Sequence, residues 1–223
     1  KSGKKKIRIN RIHMEEDTAK QFHLTKFSLL DFNRAGTPLV EIVSEPDMHS
    51  GEEAEAYVEA LRQTLYYIGV SDCKMEEGSM RCDVNVSIRP FGQEAFGTRT
   101  EIKNLNSISN VQKAIDYEAG RQQEVIESGG EVLQETRRYD EVEKVTTVMR
   151  SKGDAVDYKY YTEPNILPIR LDHAWVEQIK DELPMMAGER EKHYEEEYGI
   201  PKVDAKILVS TKSMSDYFNE VIK

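Results

Sequence analysis

The chain has 223 residues, of which 38% are hydrophobic and 32% charged, so it is long enough to bury a sizeable core. Its 31 basic and 41 acidic side chains give a formal net charge of −10, which excludes nucleic-acid binding through a general basic field. No stretch approaches the ~20 apolar residues of a membrane span, and no apolar signal region follows the basic start. The two cysteines are too few for a disulfide scaffold. We therefore predict a cytoplasmic protein.

The N-terminal part of the chain predicts two strands. Ile7 and Ile9 alternate with polar residues, which is the period of a half-buried strand, and this pattern leads into residues 11–17. A second strand is predicted at Leu39–Val43, because an apolar run follows the turn residues Gly36–Pro38.

Two helices are predicted from apolar residues at three- and four-residue spacing. The first begins at Ser50, which has capping-box spacing to Glu53, and ends at Gly69. The second extends from about Ser107 to the glycine pair at 129–130.

Four further strands are predicted in the middle of the chain. Residues Met80–Arg89 alternate cleanly between apolar and polar side chains, and a partner strand can return through Thr98–Lys103. Two more stretches, around 137–139 and 145–149, are joined by the charged turn Asp140–Lys144, which predicts a hairpin.

The composition changes towards the C-terminal end. Tyr158–Arg170 contains three tyrosines and two prolines and predicts an extended crossing, whereas Glu189–Tyr198 and Ser213–Ile222 predict helices. We therefore predict an α+β domain with a largely antiparallel sheet and flanking helices at residues 1–183, and the beginning of an all-helical domain at residues 184–223.

The strand at Met80–Arg89 gives the most specific indication of chemistry. Asp83 and Asn85 share its polar face, and in a hairpin they would meet Glu101 and Lys103 of the returning strand, with Arg81 nearby. Carboxylate and amide oxygens suit Mg²⁺, and basic side chains neutralise phosphate oxygens, so this face is a candidate site for magnesium and a nucleotide. The alternative is an ordinary solvated sheet face with cross-strand ion pairs, which alternation by itself favours.

Two other acidic residues are candidates. Glu41 lies between apolar pairs in what is predicted to be an interior strand, where an unpaired carboxylate is costly. It therefore either forms a salt bridge, for which Arg34 is the nearest simple choice, or binds a metal or faces a cleft. Glu16 follows the apolar face of the first strand, although the acidic run at 15–17 is also typical of a solvated turn.

A series of motifs resembles one known family. The longest is LDFNRAGTPLVEIVSEP, at residues 30–46. Shorter ones follow the same order along the chain: His13–Asp17, Lys74–Ser79, Arg81–Asn85, Glu101–Asn106 and Gln134–Arg138. Together they resemble the B-type subunits of the glutamyl/aspartyl-tRNA amidotransferases over nearly the whole chain.

The resemblance implies a cradle-shaped α+β domain followed by a helical domain, and a glutamine-hydrolysing ligase. The B-type subunit of the family uses ATP to phosphorylate the side-chain carboxylate of Glu-tRNA(Gln) or Asp-tRNA(Asn). Ammonia from the A-type amidase subunit then displaces the phosphate, and a small C-type subunit wraps the other two. Because the family's first magnesium ligands and its tRNA-binding tail have no counterpart in the sequence, we expect an internal fragment that does not turn over ATP alone.

The resemblance also assigns residues. Glu16, Asp83 and Glu101 correspond to acidic residues around the family's magnesium site, and Glu41 corresponds to a motif glutamate with a supporting or ammonia-path role. We predict that Asp83, Glu101 and Glu41 are catalytic residues. The predicted nucleotide ligands are Arg81, Asn85 and Lys103. Four positions differ from the Arg, Phe, Pro and Asp that the family usually carries: Lys159, Tyr161, Thr162 and Asn165. The resemblance therefore does not assign this segment a role in holding the tRNA end.

Two other classes of function stay open on the residues alone. A non-catalytic scaffold for an amidase and tRNA predicts unchanged activity when Asp83 or Glu101 is neutralised. A free-standing ligase for a small carboxylate predicts ATP turnover without tRNA.

Overall fold

The computed structural model describes residues 3–103, 105–151, 167 and 170–223, which form two units, 1–49 and 50–223. The described residues form eight strands and six helices, which confirms the predicted α+β class. None of the described helices is long and apolar enough to cross a membrane. The extended segment predicted at Tyr158–Arg170, with the four positions that differ from the family, falls almost entirely outside the described residues.

Unit 1–49 consists of two antiparallel strand pairs. Strand β1 (Ile9–Glu16) pairs with β4 (Pro38–Ser44), and both strands were predicted. Strand β2 (Lys20–His23) pairs with β3 (Ser28–Asp31). This second pair was not predicted, because the strands are four residues long and the connecting residues 24–27 contain no Gly, Pro or Asn to signal a turn.

Unit 1–49 is held together by backbone ladders and ion pairs, since none of its described residues is buried. Arg8 contacts Asp47 in a fork: its Nε and Nη2 donate to the two carboxylate oxygens at 3.0 and 2.6 Å, and its backbone N–H donates at 2.9 Å. The Asn10 amide donates to Glu45 at 2.7 Å beside it. The side-chain and backbone hydrogen bonds from Arg8 lower the pKa of Asp47 to about 2.

Removing this fork should release the Asp47 carboxyl. In Arg8→Gln we expect the pKa of Asp47 to rise towards its ordinary value of 3.8, measured by NMR titration of the carboxyl carbon. Because the folded pKa is lowered, the stability from this pair is present above about pH 4 and is lost as the pH falls towards 2. Arg62→Gln is the control and should leave Asp47 unchanged. An Asp47 pKa near 3.8 in the wild type would contradict the fork.

Two long helices begin unit 50–223, and both were predicted. Helix α1 (Gly51–Tyr67) begins at Ser50, whose Oγ accepts a hydrogen bond from the backbone N–H of Glu53 at 3.1 Å. Helix α2 (Ile108–Glu127) begins in the same way at Ser107. The helices pack against each other, and their buried apolar residues include Ala54, Val58, Val111 and Ala114.

A four-stranded sheet lies beside these helices, in the order β5 (Val84–Val86), β6 (Thr100–Lys103), β7 (Glu135–Asp140) and β8 (Val145–Ser151). The β5–β6 and β7–β8 pairs are antiparallel, as predicted, and α2 packs against β5 and β8. The β6–β7 pair is parallel, with α2 as its connection, so the sheet is not antiparallel throughout. A parallel neighbour leaves no local turn signal in the sequence.

Strand β5 is shorter than the ten residues predicted for it. Only Val84–Val86 have ladder partners on β6. The predicted alternation of faces nevertheless extends beyond these residues, because the exposed residues Arg81, Asp83 and Asn85 alternate with less exposed ones, whereas Ser87 and Ile88 are both half-buried. The less exposed residues are Met80, Cys82, Val84 and Val86. Burial thus follows the alternation further than the hydrogen bonds do.

The chain ends in four helices: α3 (His173–Glu182), α4 (Ala187–Tyr198), α5 (Lys202–Leu208) and α6 (Lys212–Val221). Helices α4 and α6 were predicted from the sequence, whereas α3 and the seven-residue α5 were not. The seven residues of α5 carry too few periodic positions to be distinguished from a loop.

A buried cluster joins α1 to the C-terminal helices: Tyr67, Ala187, Tyr194, Ala205 and Val209. The Tyr67 hydroxyl donates to the backbone carbonyl of Val209 at 2.7 Å, so the polar end of this buried ring is satisfied. Residues on both sides of position 183 therefore share one core, and the domain boundary predicted there stays a prediction.

Candidate functional site

The predicted hairpin of β5 and β6 is confirmed, and it sorts its side chains onto two faces. Asn85 lies directly opposite Glu101 in the ladder. The flanking pairs place Val86, Thr100 and Ile102 on the other face, where all three are buried. Because neighbouring residues of a strand alternate, the polar residues Asp83, Asn85, Glu101 and Lys103 share the exposed face.

Lys103 is held between two carboxylates on this face. Its Nζ lies 2.6 Å from Asp83 Oδ2 and 3.3 Å from Glu101 Oε1. Partial burial alone would lower the pKa of Lys103, but the hydrogen bond and charge of Asp83 and the charge of Glu101 raise it above its ordinary value. The lysine is therefore firmly protonated, and the cluster presents one ammonium and two carboxylates to solvent.

The oxygens of this face suit a hard cation. Mg²⁺ is usually bound by about one or two carboxylates, with substrate phosphates and water completing its shell. Asp83 and Glu101 supply two such carboxylates, and the Asn85 amide lies opposite Glu101. No group of three His, Cys, Asp or Glu side chains in the described part of the chain could hold a metal. Two carboxylates completed by phosphate oxygens would suit Mg²⁺, and the assignment of the ion to this face stays a prediction.

A third strand reaches the same cluster through Thr136. Its Oγ1 donates to Glu101 Oε2 at 3.0 Å, and the β6–β7 register places Thr136 beside Glu101 and Arg138 beside Lys103. The sequence did not single out Thr136, which occurred only within a motif of the family resemblance. Thr136 reaches Glu101 through the parallel pairing of β6 with β7. The alternation of side chains in the sequence does not reveal which strands pair in parallel.

The residues before β5 add a cation and an inert thiol. Arg81 is exposed, on the side of the alternation that Asp83 occupies. Cys82 is partly buried on the opposite side, and burial together with the neighbouring Asp83 charge raises the pKa of its thiol to about 12. A thiol with this pKa stays protonated, so Cys82 is not an activated nucleophile.

Glu41 forms a salt bridge, which was one of the expected alternatives, but the expected interior strand and the expected partner Arg34 were wrong. Among the described residues of unit 1–49, β4 pairs with β1 alone, and Glu41 is 47% exposed. Its carboxylate lies 3.3 Å from His13 Nε2, directly opposite in the ladder, and 3.3 Å from Arg11 Nη2. Arg34 instead contacts Asp17 at 2.8 Å. Cross-strand neighbours therefore determine the partner of Glu41, and its role stays a prediction.

Glu16 is the last residue of β1, where it is exposed opposite Pro38. Glu16 and Glu41 belong to unit 1–49, whereas the other predicted site residues belong to unit 50–223. The structure brings the hairpin residues together, and the assignment of Glu16 to the same magnesium site stays a prediction.

Comparison with known proteins identifies the family. Residues 1–177, which include every site residue predicted above, match the family described as the GatB/GatE catalytic domain. The chain belongs to this family. The resemblance inferred from the motifs is thereby confirmed.

Two curated relatives of this GatB/GatE chain carry the name of the B-type subunit of an aspartyl/glutamyl-tRNA(Asn/Gln) amidotransferase. The chain is 53% identical over 219 residues to the protein of Staphylococcus carnosus and 54% identical over 220 residues to that of Halalkalibacterium halodurans. Each alignment covers 98% of this chain and 46% of the relative. The chain thus spans about half the length of the curated relatives it matches.

Proposed function

We propose that this chain carries the ATP-dependent carboxylate-activating site of an aspartyl/glutamyl-tRNA(Asn/Gln) amidotransferase. The observation that carries the proposal is the Lys103 ammonium held between Asp83 and Glu101 on an exposed sheet face of a GatB/GatE catalytic domain. In this proposal residues 1–183 form the catalytic domain, and residues 184–223 begin the helical domain.

The proposed reaction has two steps. An oxygen of the side-chain carboxylate of Glu-tRNA(Gln) or Asp-tRNA(Asn) attacks the γ-phosphorus of ATP, and the bond between that phosphorus and the ADP oxygen breaks. The nitrogen of ammonia then attacks the carbonyl carbon of the acyl phosphate, phosphate leaves, and loss of a proton gives the amide. Phosphoryl transfer of this kind depends on charge neutralisation and alignment, which a polar sheet face can provide without a P-loop.

Each residue of the face has a role in this scheme. Asp83 and Glu101 would hold Mg²⁺, which supplies positive charge to the phosphate oxygens when bound. Lys103, whose pKa is raised, keeps its proton and can bind a phosphate oxygen as Arg81 can. Asn85 would bind the nucleotide from the facing strand, and Glu41 would have a supporting or ammonia-path role.

The proposal includes partners and a location. Ammonia would come from glutamine hydrolysis in an A-type amidase subunit, and a small C-type subunit would make up the heterotrimer. The macromolecular substrates would be tRNA(Gln) or tRNA(Asn) carrying Glu or Asp, in the cytoplasm. The names of the relatives support an amidotransferase of several subunits that acts on these tRNAs.

Asp83→Asn tests the proposal, because it removes a charge and little volume. Phosphate release from ATP would be followed in the complete amidotransferase with misacylated tRNA and no ammonia source. We expect Asp83→Asn to lower the rate about 100- to 1,000-fold, because charge stabilisation in the transition state is lost. Asp72→Asn is the matched control: Asp72 is 48% exposed and lies 4.0 Å from Lys74, whereas Asp83 is 46% exposed beside Lys103. The control should keep the wild-type rate.

The alternatives give different results in the same assay. Equal rates for wild type and Asp83→Asn in the assembled complex would indicate a non-catalytic scaffold and overturn the proposal. ATP turnover at the full rate without tRNA would indicate a ligase for a small carboxylate.

A further inference from the structure

We propose that Thr136 is a positioning residue for Glu101, and that its hydroxyl sets the carboxylate orientation needed to bind a divalent cation. This inference rests on the proposed function, because it assigns Glu101 to the metal. It adds a residue from a third strand, β7, to a site that the sequence placed on one hairpin.

The geometry fixes both oxygens of the Glu101 carboxylate. Thr136 Oγ1 donates to Oε2 at 3.0 Å, and Lys103 Nζ lies 3.3 Å from Oε1. A hydrogen bond at one oxygen and an ion pair at the other restrict the plane of the carboxylate more than either contact alone would. Since each oxygen has about two acceptor positions, both can still bind a cation while these contacts persist.

The strand that carries Thr136 is itself firmly anchored. The next residue, Arg137, is buried on the opposite face, where Nε donates to Thr146 Oγ1 at 2.9 Å and Nη2 donates to the Thr146 carbonyl at 2.7 Å. Arg137 also pairs with Glu135 and lies 3.5 Å from the fully buried Glu118. The hydroxyl is therefore presented from a rigid backbone, which is what an orienting group requires.

A register shift between Thr136 and Arg137 in the β7–β8 ladder marks the same place. The additional residue, Met149, lies on β8, so β7 keeps its regular alternation. That alternation places Thr136, which contacts Glu101, on the face opposite Arg137, which enters the buried network. Thr136 needs no hydroxyl to sit in a strand, because valine has nearly the same shape and an equal preference for strands.

The test compares Thr136→Val, which removes the hydroxyl, with Thr136→Ser, which keeps it. Mn²⁺ binding to the complete amidotransferase, without substrates, would be measured by electron paramagnetic resonance titration. We expect Thr136→Val to weaken Mn²⁺ about 10-fold, the usual effect of removing a hydrogen-bond partner of a metal ligand, and Thr136→Ser to stay within about twofold of wild type. Phosphate release should show the same order, with the loss in kcat rather than in the KM for ATP. Thr136→Ala serves as a second variant without the hydroxyl.

The outcomes separate this inference from the proposed function. Wild-type Mn²⁺ affinity and kcat in Thr136→Val, with Asp83→Asn impaired, would overturn the role of Thr136 and leave the proposed function standing. Equal losses in Thr136→Val and Thr136→Ser would also overturn it, because the hydroxyl would then not be the cause. If Asp83→Asn is unimpaired, both the proposed function and the role of Thr136 fail.

Discussion

Replacing Glu118 with alanine is expected to destabilise the fold by about 3–5 kcal/mol, the usual result of removing one partner from a buried ion pair. The Glu118 side chain is fully buried on α2, and its carboxylate accepts four hydrogen bonds. It accepts two hydrogen bonds from Arg121 at 2.9 and 2.6 Å, one from Gln122 at 2.9 Å and one from Thr146 at 2.8 Å. Its loss would leave Arg137, 10% exposed, without this partner.

The electrostatics support this large effect. Burial alone would raise the pKa of Glu118, but the hydrogen bonds from Arg121, Gln122 and Thr146 outweigh it and lower the pKa. A lowered folded pKa means that the contribution of Glu118 is present above the unfolded value of about 4.3 and is lost as the pH falls through the folded pKa. The difference in unfolding free energy between wild type and Glu118→Ala should therefore shrink in acid.

Glu59→Ala is a matched control for Glu118→Ala. Glu59 accepts the same fork from Arg62, three residues later on α1, at 3.1 and 2.7 Å. Glu59 is 47% exposed, so its removal should change the unfolding free energy by no more than about 0.5 kcal/mol. Urea denaturation followed by circular dichroism measures both variants. Similar losses in the two would show that burial of the Glu118 network contributes nothing.

Gly97→Ala is expected to be destabilising by about 3 kcal/mol, because it overpacks a backbone contact. Gly97 lies in the connection between β5 and β6, where an added Cβ would come within 2.0 Å of the Ile88 carbonyl oxygen. Backbone cannot swing aside as a flexible side chain can, so the connection itself must move. The ladder of Val84–Val86 with Thr100–Lys103 should loosen, since both strands end at this connection.

Hydrogen exchange at the β5–β6 amides, together with urea denaturation, measures this effect. Gly120→Ala on the exposed face of α2 is the control, because an added Cβ there meets no atom within 4 Å. That variant should be stabilised by about 0.5–1 kcal/mol through helix propensity. If Gly97→Ala has wild-type stability and exchange, the close approach to Ile88 is not a constraint.

Local chemistry made most of the fold predictable. The serine cap at Ser50, the helix start near Ser107, the alternation around β5 and the charged turn after Asp140 each depend on residues close in sequence, and each is confirmed. The β2–β3 pair was missed because nothing local marks its turn. The parallel pairing of β6 and β7 was missed because its partners lie on either side of a 20-residue helix.

The same distinction applies to the candidate site. The hairpin residues could be predicted, because a single turn and period-two alternation bring Asp83 close to Lys103. Thr136 could not, since it reaches Glu101 through the non-local pairing. The expected partner of Glu41 was wrong for a related reason: a residue near in sequence, Arg34, was preferred to the residue opposite in the ladder, His13.

The parallel β6–β7 pairing has a consequence for the order of folding. Asp83 and Lys103 are 20 residues apart and meet across one hairpin, whereas Thr136 is 35 residues from Glu101 and lies beyond α2. Chain-closure entropy alone makes the longer loop only about 0.5 kcal/mol costlier, but parallel strands gain their ladder only after the crossover helix has formed and docked. We therefore expect the hairpin contact between Asp83 and Lys103 to form earlier in folding than the contact between Glu101 and Thr136, which requires α2 to be in place.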